Sequence, residues 1–181
     1  MQTIQQSISE SMKLIEAIEE GSLSPEQIKE KVSLLLTNEL SARGFMAALS
    51  VSESIEKLQG ASLEGLLDGL KAQPEVAYDL LVKNIIMSSS AALSHEEKGN
   101  IEQKKNSQDV TVRCLHLAEK INDKRLSVKV EEVLNAINAF NQDPEEKHDS
   151  HHLWFKFFER WGYQDRHLES SRPHLEKLLK A

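Results

Sequence analysis

The chain has 181 residues, of which 39% are hydrophobic and 28% are charged, a balance typical of soluble globular proteins. Its formal net charge of −7 disfavours binding to nucleic acid or to an anionic membrane surface, because both depend on basic side chains that neutralise phosphate. The single cysteine, Cys114, excludes an internal disulfide, no secretory signal is recognisable, and the longest uncharged run, 84–94, is too short for a membrane span. These features predict a cytoplasmic protein.

Helix signals begin at the N-terminus. Apolar residues at three- and four-residue steps predict an amphipathic helix over residues 3–20. A second helix is predicted to begin at Pro25, because Ser24 is a capping residue, proline suits the first helical position and Gln27 completes a capping box. The low content of 7 Gly and 4 Pro also favours helices over a turn-rich β structure.

The longest apolar pattern extends from Pro74 to Ser94 and predicts a helix that is buried on several sides. Successive residues of a helix are rotated by about 100°, so Asp79, Lys83 and Ser90 share one narrow stripe. This stripe carries the few charges of the helix and is expected to face water.

A polar set on and beside this helix is the candidate ligand site. Asn84, Ser88 and His95 share a stripe that lies roughly opposite the charged one, so they are expected to point into the protein. Arg43 and Arg113 lie beside apolar stripes and complete the set. Buried polar groups need hydrogen-bond partners, which leaves two interpretations. Either the set forms a small pocket for an anionic or polar ligand, in a binding protein or an enzyme, or it bonds to neighbouring backbone and fixes helix packing.

No catalytic residue and no cofactor are predicted. The sequence has no phosphate-binding glycine loop, no nucleophile elbow and no pair of carboxylates with a recognisable catalytic spacing. Cys114 lies in the apolar stripe of its helix, so a buried, inert thiol is expected. His148 and His152 have the i,i+4 spacing of helical metal ligands, but no His-Glu-x-x-His motif is present. Adventitious binding of zinc or nickel is favoured over a physiological metal site.

The remaining segments define the predicted architecture. Residues 95–108 are polar and charged and are expected to form a loop or part of a longer solvated helix, with Ser107 capping the next helix. We predict an all-α fold, a single domain of about six to eight helices packed around 74–94. A helical core of 1–142 is followed by a segment, 143–181, with an acidic linker and aromatic helices that pack on the core or on a second chain.

The C-terminal segment carries an aromatic stripe of Trp154, Phe158 and Trp161. The commoner explanation of such a stripe is packing on the main body. The alternative is that part of it is exposed and docks a protein partner, for which a second copy of the chain is the simplest choice. A last short helix is expected to begin at Ser170 or Ser171.

Two stretches carry a resemblance. The first is Ser41-Ala42-Arg43-Gly44-Phe45 followed by Ala47-Ala48-Leu49, and the second is Pro74-Glu75 leading into 79–84, Met87-Ser88 and His95, with Ser107, Val110 and Arg113 completing it. Together they resemble a group of small, uncharacterised cyanobacterial proteins over roughly residues 34–121. The resemblance implies a bacterial cytoplasmic setting and groups Arg43, Asn84, His95 and Arg113 as a set. It implies no activity.

We therefore expect a non-catalytic interaction or regulatory module that self-associates, with a homodimer as the simplest assembly and without a nucleic-acid or membrane partner. The alternative is a small-ligand binding protein, or an enzyme, that uses the polar set on the central helix.

Overall fold

A computed structural model describes residues 3–142 and 152–180. Within these ranges the chain forms no strand, and its helices are α1 (Ile4–Glu19), α2 (Pro25–Leu35), α3 (Glu39–Val51), a 3-10 helix (Glu53–Lys57), α4 (Gly60–Ala72), α5 (Pro74–Glu97), α6 (Ile101–Ile121), α7 (Lys124–Gln142), α8 (His152–Arg160) and α9 (Asp165–Leu178). The all-α prediction is confirmed. The described residues form nine α-helices, and 143–151, the greater part of the predicted linker, lies outside them.

The chain divides into two compact units. The first comprises Met1–Leu81 and His116–Asp123, and the second comprises Val82–Leu115 and Lys124–Ala181. Helices α5 and α6 each contribute residues to both units. Helix α7 precedes the undescribed segment and α8 and α9 follow it, yet all three belong to the second unit. The predicted division of the chain at residue 143 stays a prediction.

The first unit contains two closely packed helix pairs, α1 with α3 and α2 with α4. Glycines permit the close approach of α4 to α2. A Cβ atom added at Gly65 would lie 2.6 Å from the carbonyl oxygen of Pro25, and one added at Gly69 would lie 2.6 Å from Cβ of Val32. Both distances are far below van der Waals contact, so only glycine allows this packing. The sequence analysis did not use these two residues.

Small residues likewise set the packing of α1 against α3. A Cβ atom added at Gly44 would lie 2.7 Å from Cβ of Ser7, and the Ser7 hydroxyl donates a hydrogen bond of 3.3 Å to the carbonyl oxygen of Leu40. Ser7 and Ser11 are buried, whereas Met12 is exposed. The buried face of α1 is therefore rotated away from the purely apolar stripe, because α3 approaches where the side chains are smallest.

The predicted start of α2 is correct. Ser24 caps α2 and Gln27 accepts a hydrogen bond from the Ser24 backbone N–H, which together form the predicted capping box.

Other predicted helix ends are wrong. Ser107 lies inside α6, because α5 continues to Glu97 and a tight turn at Gly99, with φ +71°, lets the chain reverse within three residues. Ser170 and Ser171 lie inside α9, which begins at Asp165 and continues through Pro173. Proline removes one backbone N–H from the helix, and α9 accommodates that loss.

In the second unit, α7 packs against α8 and α9. Phe140 of α7 makes edge-on contacts with Phe155 and Phe158 of α8, with ring centroids 5.4 and 5.3 Å apart. A polar network joins α7 to α9.

In this network, Arg172 donates to both carboxylate oxygens of Glu169, at 2.6 and 2.8 Å, and also donates to Asn138 at 2.8 Å. The guanidinium of Arg172 holds the pKa of Glu169 below its usual range. The pair lies toward solvent, so its role is mainly to fix the register of α9 on α7.

Candidate functional site

The polar face of α5 meets a polar residue of α6 inside the second unit. The Ser88 and Thr111 hydroxyls are both buried and lie 2.7 Å apart. Ser88 also donates to the carbonyl oxygen of Asn84 at 2.7 Å, and Thr111 has the carbonyl oxygen of Ser107 at 3.1 Å. The sequence analysis selected Ser88 but did not select Thr111.

We call the buried Ser88 and Thr111 hydroxyls the polar seam. They satisfy each other's hydrogen-bonding capacity. Each hydroxyl has one proton to donate and can also accept. If Ser88 donates to the Asn84 carbonyl, Thr111 either donates to Ser88 or to the Ser107 carbonyl, and every proton has an acceptor. The seam needs no ligand to satisfy it, which supports the interpretation that these groups fix the packing of α5 on α6.

Two further serines of α5 are also bonded within the protein. The Ser89 hydroxyl donates to the carbonyl oxygen of Ile85 at 2.7 Å, and the Ser90 hydroxyl donates to the carbonyl oxygen of His167 at 3.0 Å. Ser90 is buried, so its predicted exposure to water is wrong. The reason is that the start of α9 covers this part of α5, which the sequence pattern of α5 alone did not show.

Lys83 belongs to the same stripe and is also not fully exposed. Its ammonium group lies 5.6 Å from the ring centre of Trp154 and 5.4 Å from that of Phe157. A cation over aromatic faces is stabilised by the ring quadrupole, so the charged stripe of α5 is partly covered by α8. Lys83 is half-buried, so the expectation that this stripe faces water holds there only in part, because the charge lies against aromatic rings.

The predicted ligand set is distributed over both units. Arg43 is exposed and belongs to the first unit, whereas Asn84, Ser88, His95 and Arg113 belong to the second. Asn84 and Arg113 are half-buried. His95 is half-buried too, and its Nδ1 atom is buried without a hydrogen-bond partner in the described part of the chain. A ligand site formed by this set stays a prediction.

A serine and a histidine lie close together at the end of α5. The Ser94 hydroxyl is 3.5 Å from Nε2 of His167, and Nδ1 of His167 accepts a hydrogen bond of 3.1 Å from the backbone N–H of Gln164. Since Nδ1 is the acceptor, a neutral ring carries its proton on Nε2. General-base activation of a serine requires an unprotonated nitrogen facing the hydroxyl, so this tautomer is the wrong one for a nucleophilic Ser94.

Burial holds two further titratable groups of the second unit, the Tyr163 phenol and the Cys114 thiol, in their neutral forms. Tyr163 contacts the His167 ring, with ring centroids 6.1 Å apart, and burial raises the pKa of its phenol to about 12, against a smaller opposing hydrogen bond with Ser90. Burial also raises the pKa of the Cys114 thiol to about 12, so the thiolate is not formed near neutral pH. The expectation of a buried thiol is confirmed, and its inertness stays a prediction.

The described residues include no metal cluster and no membrane span. Within 3–142 and 152–180, no three His, Cys, Asp or Glu side chains lie together as metal ligands would. His148 lies outside the described residues, and the side chain of His152 is not described either, so the weak metal prediction stays untested. No helix in the described ranges has both the length and the apolarity needed to cross a membrane.

The aromatic stripe of α8 is mostly internal. Trp154 is 6% exposed and Phe158 is 0% exposed, whereas Trp161 is 50% exposed. A buried ring cannot contact a partner while this packing holds, which narrows the predicted docking residues to Trp161. Leu153, at the other end of α8, is 78% exposed. The sequence analysis did not select Leu153, although it precedes the aromatic stripe directly.

The fold and the site together define an all-helical protein whose polar seam is hydrogen-bonded internally. A family model described as "Uncharacterised conserved protein UCP020893" matches residues 3–177, and the chain belongs to this family. The expected membership of an uncharacterised family is therefore confirmed. No curated protein and no solved structure matches the chain at a significant level.

Proposed function

We propose that the chain is a non-catalytic interaction module that self-associates as a dimer through the exposed end of α8. The observation that carries the proposal is Trp161, which directly follows α8 and has half of its surface open next to the buried aromatic rings of that helix. Tryptophan is enriched among the residues that dominate binding energy at interfaces. A large exposed aromatic surface is therefore the best-supported contact point on this helix.

A second copy of the chain is the partner that we propose. The exposed side chains of α8 include two basic residues, Lys156 and Arg160, and one acidic residue, Glu159, whereas the chain as a whole has a formal net charge of −7. Because the charges on this face nearly cancel, two copies of an acidic chain can approach each other here with less repulsion than elsewhere on their surfaces. Leu153 extends the apolar contact at the opposite end of the same helix.

The polar residues of α5 support a role without catalysis. The Ser88 and Thr111 hydroxyls satisfy each other, and the hydrogen bond from Gln164 leaves His167 with the wrong tautomer to activate Ser94. A bacterial cytoplasmic setting is part of the proposal, supported by the single free cysteine and by the cyanobacterial resemblance of residues 34–121.

A ligand-binding role is the second candidate, and one observation favours it. The Nδ1 atom of His95 is buried and has no hydrogen-bond partner among the described residues, and such atoms are rare in folded proteins. A small polar ligand or a bound water would satisfy it. The two roles are distinguished by which residue changes its environment on binding. It is Trp161 if a second copy of the chain binds, and His95 if a small ligand binds.

Fluorescence of Trp161 tests the proposed dimer directly. The chain has two tryptophans, so a Trp154→Phe variant leaves Trp161 as the only one. As the protein concentration rises from nanomolar to high micromolar, we expect acrylamide quenching of Trp161 to fall and its emission to move to shorter wavelength. Acrylamide quenching of Trp161 that does not depend on protein concentration would contradict the proposed dimer.

A pair of substitutions provides the matched control. Trp161→Ala should raise the dissociation constant of the dimer by about thirtyfold or more, the effect of losing a binding hot spot. Leu34→Ala removes another exposed apolar side chain, 68% exposed on α2, and should leave the dissociation constant unchanged. Circular dichroism checks that both variants keep the helical content of the parent.

A further inference from the structure

His167 fixes the start of α9 through both ring nitrogens and its backbone. Its Nδ1 atom accepts the hydrogen bond of the Gln164 backbone N–H at 3.1 Å, and its Nε2 atom lies 3.5 Å from the Ser94 hydroxyl of α5. Its carbonyl oxygen accepts from Ser90, also on α5, at 3.0 Å. The adjacent Arg166 forms an ion pair of 2.8 Å with Glu97 of α5. The first turn of α9 is thus attached to α5 at consecutive residues.

The same capping position is occupied by glutamine in two other helices of the chain. The Thr3 backbone N–H donates to Gln6 at 2.8 Å at the start of α1, and the Ser24 backbone N–H donates to Gln27 at 2.9 Å at the start of α2. In α9 the third helical residue is His167, which accepts the equivalent bond through an imidazole nitrogen. Glutamine and histidine both accept at this position, but of the two side chains only histidine can take up a proton.

Protonation of the His167 ring removes the acceptor. A proton on Nδ1 turns the Gln164 contact into two N–H groups that face each other. The added positive charge also lies in the first turn of a helix, where the backbone dipole disfavours cations. Both effects weaken the start of α9 and act in the same direction.

We propose that His167 is a pH-sensitive latch that holds the N-terminal turn of α9 on α5 at neutral pH and releases it in mild acid. The groups that face it are the neutral hydroxyls of Ser90 and Ser94 on α5 and the neutral phenol of Tyr163 from the α8–α9 turn.

Charged residues also lie on the two helices that the latch joins. Glu97 of α5 is engaged by Arg166, and Asp165 lies beside them in the same turn. Glu169 and Arg172, one turn further along α9, are paired with each other and bond to α7. The carboxylates of Glu97 and Asp165 favour the protonated ring, so the proposal requires that loss of the Gln164 bond outweighs their attraction.

Hydrogen exchange of the full chain tests the latch. The parent chain of this experiment and all its variants carry His174→Gln, because His174 is a second histidine of α9 that titrates. Between about pH 7.5 and about pH 5.5, after correction for the intrinsic exchange rate, amides of the first turn of α9 should lose protection by about tenfold, the effect of one lost capping bond. His167→Gln keeps an acceptor without a titrating group, so its protection should not change. His167→Lys mimics the protonated ring and should be unprotected at both pH values.

Two results would overturn the latch. One is an equal loss of protection in His167→Gln and in the parent. The other comes from nitrogen NMR of the unsubstituted chain, which needs no variant to fold. At about pH 7.5 the spectrum should show Nδ1 unprotonated and Nε2 protonated, and the opposite tautomer contradicts the geometry on which the latch depends.

Discussion

The glycines of α4 give the sharpest prediction about how the first unit is held together. In Gly65→Ala, the new Cβ would lie 2.6 Å from the carbonyl oxygen of Pro25 and 2.9 Å from its Cα atom. These are backbone atoms that no rotamer change can move. Because ordinary contact begins near 3.4 Å, α2 and α4 must separate locally by roughly 0.8 Å.

The expected cost follows from two opposing effects. Overpacking of a closely packed helix contact destabilises a protein by about 1–3 kcal/mol. The backbone atoms of Pro25 cannot move aside, which places Gly65→Ala at the upper end of that range. Replacement of glycine by alanine inside a helix stabilises by about 1 kcal/mol. Gly65→Ala should therefore lower the free energy of unfolding by about 2 kcal/mol. Asp68→Ala, at an exposed position of the same helix, should change it by no more than about 0.5 kcal/mol in the destabilising direction.

Urea unfolding followed by far-ultraviolet circular dichroism measures both free energies. The dichroism signal reports the helices of both units, whereas Trp154 and Trp161 lie in the second unit alone, so tryptophan fluorescence is the wrong probe. If Gly65→Ala is as stable as the parent or more stable, helix propensity outweighs the steric effect and the close α2–α4 contact is not real.

The remaining predictions concern the second unit. Thr111→Val and Ser88→Ala should each lower the free energy of unfolding by about 1 kcal/mol. The double variant should lower it by less than the sum, because the two hydroxyls share one interaction. Strict additivity would show that the two hydroxyls do not interact. Burial and, to a smaller extent, Lys177 lower the pKa of His174 in the folded protein. The folded protein therefore favours the neutral ring, and this contribution to stability is present above the usual histidine pKa and is lost as the pH falls from there through the lowered pKa. His174→Gln should flatten the decline of stability from about pH 7.5 to about pH 5.5, and an unchanged slope contradicts the prediction. Cys114 should react with a thiol reagent only at the rate of unfolding, and rapid labelling of the native chain would contradict its burial.

Local signals were sufficient where a helix start depends on neighbouring residues alone. Ser24, Pro25 and Gln27 predict the start of α2 because capping involves only the first turn. The all-α class was predictable for the same reason, since periodicity and the scarcity of glycine and proline are properties of short windows.

Contacts between distant residues were not predictable in the same way. The polar composition of 95–108 predicts a loop or part of a longer solvated helix, whereas the chain makes a three-residue turn at Gly99 between two helices. With that turn recognised, the antiparallel register of α5 and α6 would have placed Ser88 opposite Thr111. The burial of Ser90 depends on α9, a helix more than seventy residues away, and no local pattern shows which helix covers it.

Side-chain size carried information that the hydrophobic pattern did not. The closely packed helix pairs of the first unit depend on Gly44, Gly65 and Gly69. In the sequence alone, a glycine inside a helix indicates only a weak helix propensity. The histidine cap of α9 was hidden in the same way. Gln6 and Gln27 conform to the usual capping pattern, whereas His167 does not, and that pattern instead places the start of the last helix at Ser170 or Ser171.

The mass of the full chain in solution as a function of concentration tests the central claim most directly. In sedimentation equilibrium at neutral pH, the proposal predicts that the mean mass rises from that of one chain, 20.5 kDa, to that of two, and that Trp161→Ala moves this rise to higher concentration. A mass of one chain at every concentration, with Trp161 still open to quencher, would contradict self-association through α8.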